Sequence, residues 1–141
     1  MLTIEDFVHD ACTPDFLTDP SRQQYAQYQI EIVKMSLIMR DIIISRFHPG
    51  KQPASSTIFQ ARLNQWKRDL TPSLHWNDEA PDYQSPFSMS LSVQYNHHLI
   101  LNSLGHLRGS NISHQDEHER EEIVDSAAHN ISTVMCTLVT K

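Results

Sequence analysis

Glycine is scarce in this chain, with three residues in 141. Tight hairpins and their turns draw on glycine for positive φ, so a strand-and-turn fold is disfavoured from the outset. Cysteine is rarer still, with only Cys12 and Cys136. Two thiols cannot complete a structural zinc site, and no CxxC pair exists. One disulfide is an option, but two free buried thiols in a reducing compartment are the expectation. Positive charge is also in short supply. The formal net charge is −6, and Arg40, Arg46, Lys51, Arg62, Lys67 and Arg68 form no dense run. A chain without a basic patch lacks the electrostatic footprint of a phosphate-backbone binder, so no direct nucleic-acid contact is expected.

Long hydrophobic runs are missing too. The most apolar region, Ile30 to Phe47, is broken by Glu31, Lys34, Arg40, Asp41 and Arg46, which rules against a membrane span. Met1 to Asp10 is acidic and mixed, without the basic-then-apolar order of a signal peptide. The sequons at Asn111 and Asn130 therefore carry no expectation of glycosylation. No GxSxG, GxGxxG or GxxxxGK[ST] signature occurs, which removes the usual hydrolase and nucleotide-binding readings. A dyad of Cys12 with a histidine has nothing to fix its geometry. No catalytic residue can be named, and the expectation is a protein that is not an enzyme.

Nine histidines invite a metal reading. His97 and His98 are adjacent, so on a helix they point to different sides. His114 and His118 are four apart, a spacing that can chelate, but no third ligand is evident. His118-Glu119 lacks the second histidine of HExxH. An exposed polar turn is the plainer reading, with no metal and no cofactor in this segment.

What is present is helical periodicity. The expected architecture is all-α with about four helices, after a lead-in over residues 1–20 in which Leu2, Ile4, Phe7, Phe16 and Leu17 can still lie on the core. The first helix is expected from about Ser21 to Phe47, capped by Asp19 or Ser21 and stopped at His48-Pro49-Gly50. Tyr25, Tyr28, Ile32, Met35, Met39 and Ile42 form one stripe, and Ile30, Val33, Leu37 and Ile44 a second. A helix apolar on two sides needs neighbours on two sides, so this one is expected at the centre of a bundle. The Ile42-Ile43-Ile44 run leaves a buried strand as the alternative.

The second helix is expected from about Ser56 to Leu70, with Phe59, Leu63, Trp66 and Leu70 on one face and Thr71-Pro72 ending it. Residues 71–86 read as a polar connector, either a functional loop or a surface crossing. The third helix is expected to start at Ser85-Pro86 and run to about Arg108, closed by Gly109. It too is two-sided, with Phe87, Leu91, Tyr95 and Leu99 on one stripe and Val93, Ile100, Leu104 and Leu107 on the other. A turn over 109–115 leads to the fourth helix, from about Asp116 to Thr140. Its core face is Ile123, Ala127, Ile131, Val134 and Leu138. Acids at its start suit the helix dipole and read as a solvated face or a partner patch. Its periodicity continues up to Lys141, as in a segment truncated at its C-terminus.

Trp66 and Trp76 lie near predicted helix ends. They line the core or a groove. The alternative is an apolar pocket that they form with the Met and Tyr side chains of the first helix. Met35, Trp66, Trp76 and Tyr95 are the four residues expected at any apolar effector or partner contact. The apolar faces are too wide for four helices alone, so exposed apolar surface or a self-association partner is expected.

Several stretches together resemble the middle homology region of fungal zinc-cluster transcription factors, in the subgroup of cutinase and fatty-acid regulators. Tyr28 to Ile43 is similar to that family's apolar helix. Leu63, Trp66, Leu70, Pro72, Leu74 and Trp76 resemble its tryptophan-centred helix and leucine-proline turn. Leu91, Val93 and Tyr95 with Leu99-Ile100-Leu101 resemble its tyrosine-bearing helix, and Val124 to Ala128 with Ile131 its alanine-rich one. Leu2 to Phe7 is similar to the short segment ahead of them. The resemblance covers nearly the whole chain. It departs at Thr71, where the family has proline, and at Asn102-Ser103-Leu104, where it often has His-Arg-Pro.

The family's six-cysteine zinc cluster is absent, so zinc is expected only in a DNA-binding region outside this sequence. The resemblance implies a nuclear regulatory segment that belongs to a larger helical domain and controls metabolic genes. Its implied partners are the rest of that domain or another protein, a second copy, or a small-molecule effector, with no membrane. The alternative is a free-standing or remnant helical interaction module without DNA binding.

Overall fold

The computed structural model describes residues 18–48, 50, 55–80, 83–104 and 113–140. The lead-in before Thr18, Cys12, the expected end of the third helix at Arg108-Gly109 and most of the turn after it lie outside the described residues. The fold is all-α. Helix α1 spans Pro20–Phe47, α2 Ser56–Arg68, α3 Pro86–Leu104 and α4 His114–Thr140, with a 3-10 turn at Pro72–Leu74. No strand occurs among the described residues, and Ile42 to Ile44 are helical.

Local chemistry fixes the helix starts. Asp19 Oδ1 accepts from the Ser21 amide at 2.9 Å, with Pro20 pre-set for the first helical turn. Ser55 Oγ accepts from the Thr57 amide at 3.3 Å and opens α2. Ser85 Oγ accepts from the Ser88 amide at 3.1 Å at the head of α3. Ser113 Oγ accepts from the Asp116 amide at 3.2 Å and donates to its carboxylate at 2.7 Å, so α4 begins at His114, slightly earlier than its apolar pattern.

The main core is a wedge of α1, α2, α3 and the 3-10 turn. Met35, Ile38 and Ile42 of α1 meet Phe59, Leu63 and Trp66 of α2 and Leu91 and Tyr95 of α3. The connector is more than a surface crossing, because Leu70, Leu74 and Trp76 enter this core. Pro72 starts the tight turn that carries Leu74 inward.

The helix at the centre is α3, not α1. It packs against α1, α2, α4 and the 3-10 turn. Small side chains explain the exchange. Ser88, Ser92 and Ser103 are buried on α3 and let neighbours approach on more than one side. In α1, the first expected stripe is displaced: Tyr25 is exposed and Met39 only half-buried, while Glu31, Met35, Ile38, Ile42 and Arg46 form the buried face. The second stripe of α1 stays exposed. On α4, Ala127 and Val134 are buried as expected, but Leu138 is exposed and Thr137 is buried instead.

Candidate functional site

The most elaborate side-chain arrangement gathers where α1, α2, α3 and the connector meet. Trp66, Trp76 and Tyr95 form an aromatic triangle with ring centroids 5.5–6.4 Å apart. These separations fall in the favourable range for ring pairs. Three different elements supply them, so the triangle closes only when the connector folds back. Lys67 lies over it, with Nζ 4.4 Å from the Trp76 centroid and 5.0 Å from that of Tyr95. The Asp78 carboxylate stands 3.7 Å from the same ammonium.

Beneath the rings sits a buried carboxylate. Glu31 is 2% exposed. Its Oε2 accepts from Trp66 Nε1 at 2.9 Å, and its Oε1 accepts from Gln27 Nε2 at 3.0 Å and Lys34 Nζ at 2.9 Å. A charge this deep is tolerable only when donors surround it. Glu31 thereby fixes the Trp66 indole, and Tyr95 donates its hydroxyl to Asn64 Oδ1 at 2.7 Å. Burial, with the Asp78 charge adding to it, pushes the Tyr95 hydroxyl above its ordinary pKa. Polar bonds thus hold Trp66 and Tyr95, while the buried Trp76 Nε1 has no hydrogen-bond partner.

An open cleft of about 550 Å³ borders this core between α2, α3 and α4. Lys67, Asp78, Tyr95, Asn96, Glu119 and Glu122 are among its walls. Carboxylates and amides dominate, so the cleft suits hydrogen-bonding contacts more than a greasy ligand. Lys67, the one cation among the described residues lining it, is already engaged by Asp78 and two rings.

The four residues expected at an apolar contact come together in one cluster. Met35, Trp66, Trp76 and Tyr95 are all buried in it, and only Tyr95 reaches the cleft wall. The histidines behave individually. His97 is exposed while His98 is buried, on different sides as adjacency requires. His118 pairs with Glu122 at 3.4 Å. Among the described residues, no group of three His, Cys, Asp or Glu side chains is placed to hold a metal. Cys136 is free and exposed rather than buried.

Sequence reasoning missed Glu31, Arg46, His98 and Asn102. Arg46 donates Nη2 to Asn102 Oδ1 at 3.0 Å, and Asn102 Nδ2 donates to the Ser56 carbonyl at 2.8 Å. Burial lowers the Arg46 pKa from its usual value. This link ties α1, α2 and α3 together at one end. The signal was present: Glu31, Met35, Ile38, Ile42 and Arg46 share one helical face, so polar ends on an apolar stripe mark buried hydrogen-bonded groups.

No protein-family model, no curated protein and no solved structure matches the chain.

Proposed function

We propose that this chain is a helical regulatory segment of a fungal zinc-cluster transcription factor, acting in the nucleus to control transcription of metabolic genes. On this reading it is not an enzyme. It works by association, and small-molecule control would act by shifting the population between two packings of the helices. The observation that carries the reading is the second apolar stripe of α1. Ile30, Val33, Leu37 and Ile44 stand outward on a helix whose opposite face is fully engaged in the core. Exposed aliphatic rows of this kind mark association surfaces. The exposed Met135, Leu138 and Val139 near the end of α4 add a second such patch, fit for the remainder of a helical domain. The order of the tryptophan, tyrosine and alanine-rich helices supports the family assignment.

The test is a reporter assay in fungal cells. The chain is placed between a heterologous DNA-binding domain and an activation domain, and compared with an inert linker of equal length. The expected result is a several-fold change in reporter output that depends on the chain being folded. Output equal to that of the linker would remove the regulatory reading. The free-standing interaction module is separated by the genomic sequence upstream of Met1, where the proposal expects an in-frame six-cysteine cluster followed by a basic linker.

A further inference from the structure

We infer that the outward face of α1 is a seam on which α1 of a second copy packs antiparallel. This deepens the association reading by naming the partner and its orientation. The exposed residues follow a heptad. Ile30, Leu37 and Ile44 occupy one position of the repeat, and Val33, Arg40 and Phe47 the other. All six are exposed, the five apolar ones at 39–58%. Apart from Tyr25 and Ile43, the exposed large apolar side chains of α1 fall on these two positions, the spacing of a coiled-coil seam. At 3.6 residues per turn it lies almost diametrically opposite Met35, Ile38 and Ile42. Partner and core therefore do not compete for the same side chains.

The pattern is self-complementary when read antiparallel. Ile30 then layers on the partner's Phe47, Val33 on the partner's Ile44, and Leu37 on the aliphatic stem of the partner's Arg40. The two-fold axis repeats each layer, as an isologous interface requires. Charge agrees with this register. Lys34 and Asp41 flank the same edge of the seam, and the antiparallel pairing sets Lys34 of each copy across from Asp41 of the other. A parallel pairing would instead set Lys34 across from the partner's Gln29 and Asp41 across from the partner's Ser36, with no charge pair. Lys34 holds Glu31 at 2.9 Å, and Asp41 accepts from Arg62 at 3.0 Å, so both are already steadied by their own chain.

The helix is held by the domain core, so pairing costs no helix nucleation. The seam is about 27 Å long at roughly 1.5 Å per residue. Two helices of that length cover less than the roughly 800 Å² per partner of a standard interface. The dimer is accordingly weak, with a dissociation constant on the order of 10 µM.

Sedimentation of the full chain from about 1 to 300 µM brackets that constant. The expected result is a reversible monomer–dimer equilibrium that Leu37→Glu abolishes with unchanged far-ultraviolet circular dichroism. Val33→Glu repeats the test at a second layer. Orientation is read by oxidation in a background where Cys12 and Cys136 are replaced by serine. Mixed Val33→Cys and Ile44→Cys chains should form a disulfide-linked pair, while neither cross-links to itself. A monomer throughout the range, a dimer indifferent to both glutamates, or self-cross-linking of Val33→Cys would each overturn the pairing. A monomer with an active reporter would leave the regulatory reading standing. A dimer with a silent reporter would do the reverse.

Discussion

The two sides of α3 are built by different rules. Toward α1 and α2 it presents Leu91 and Tyr95 to a cluster of aliphatic and aromatic side chains. Toward α4 the contact is the most extensive between any two helices, yet its buried side chains are small or polar. Ala127, Val134 and Thr137 of α4 are buried there, and Asn130 donates to Asn96 Oδ1 at 3.3 Å. The first interface gains from apolar area removed from water. The second gains from close backbone approach, at which little apolar area is hidden per contact. The first should therefore be sensitive to deletion and the second to insertion.

Trp66→Ala should give the largest effect. It removes the central ring of the triangle and leaves Glu31 without one of its donors, and truncations of this type cost about 3–5 kcal/mol. Leu63→Ala, fully buried in the same cluster, should follow at about 2–5 kcal/mol. Chemical denaturation measures both. Trp66→Phe sharpens the partition, because it keeps the six-membered ring while losing the pyrrole edge and its bond to Glu31, the lost bond costing about 1–3 kcal/mol. A Phe variant as unstable as the Ala variant would mean that the buried carboxylate, not the packing, governs this side of α3.

On the other side the order reverses. Ala127 is 1% exposed, and Ala127→Leu inserts bulk where two backbones lie close. Overpacking of this kind costs about 1–3 kcal/mol. The same denaturation curves read it, and an indifferent Ala127→Leu would show that the α3–α4 contact is loose. Smaller still is Ser85→Ala, which removes the cap at the head of α3 and should cost about 1 kcal/mol. A loss well beyond that would point to the other bonds at Ser85 Oγ, with Ser88 Oγ at 3.0 Å and from Gln24 Nε2 at 3.4 Å.

The same contrast explains what the sequence made legible. The aliphatic spacing of α2 and the Ser85-Pro86 start of α3 were readable, because period and capping are local. The buried face of α1 was misplaced by about half a residue's rotation, since Ile and Met occur on every side of that helix and only tertiary contacts choose among them. The central position passed to α3 because Ser88, Ser92 and Ser103 count as polar in any pattern, whereas in the fold they are the small residues that admit a neighbour. Trp66, Trp76, Tyr95 and Met35 were recognised as one group, but not that Glu31 lies beneath Trp66. A carboxylate in an apolar run reads as an interruption until its donors on other turns are seen.

The effect expected last in size is absent at neutral pH and grows only in acid. His98 lies on the α1-facing side of α3, 3% exposed. Its Nε2 is 3.1 Å from the Met35 carbonyl and its Nδ1 2.6 Å from the Gln94 carbonyl. Protonation would let both nitrogens donate, but burial opposes the charge more strongly, and nearby His97 adds to that opposition. The net effect is a folded-state pKa below the ordinary 6.5. The unfolded chain then binds a proton more readily than the folded one between those two values. Stability contributed by neutral His98 is complete above pH 6.5 or so, falls as the pH drops toward the folded value, and levels off below it. Denaturation midpoints between neutral and mildly acidic pH should therefore slope downward into acid. His98→Gln should flatten that slope while keeping an amide donor for one of the two carbonyls. If the slope survives the substitution, His98 is not its source, and a loss that sets in only at lower pH belongs to carboxylates such as Asp41. The Arg62 and Arg40 guanidiniums hold the Asp41 pKa below its usual value, so its contribution is lost only at lower pH.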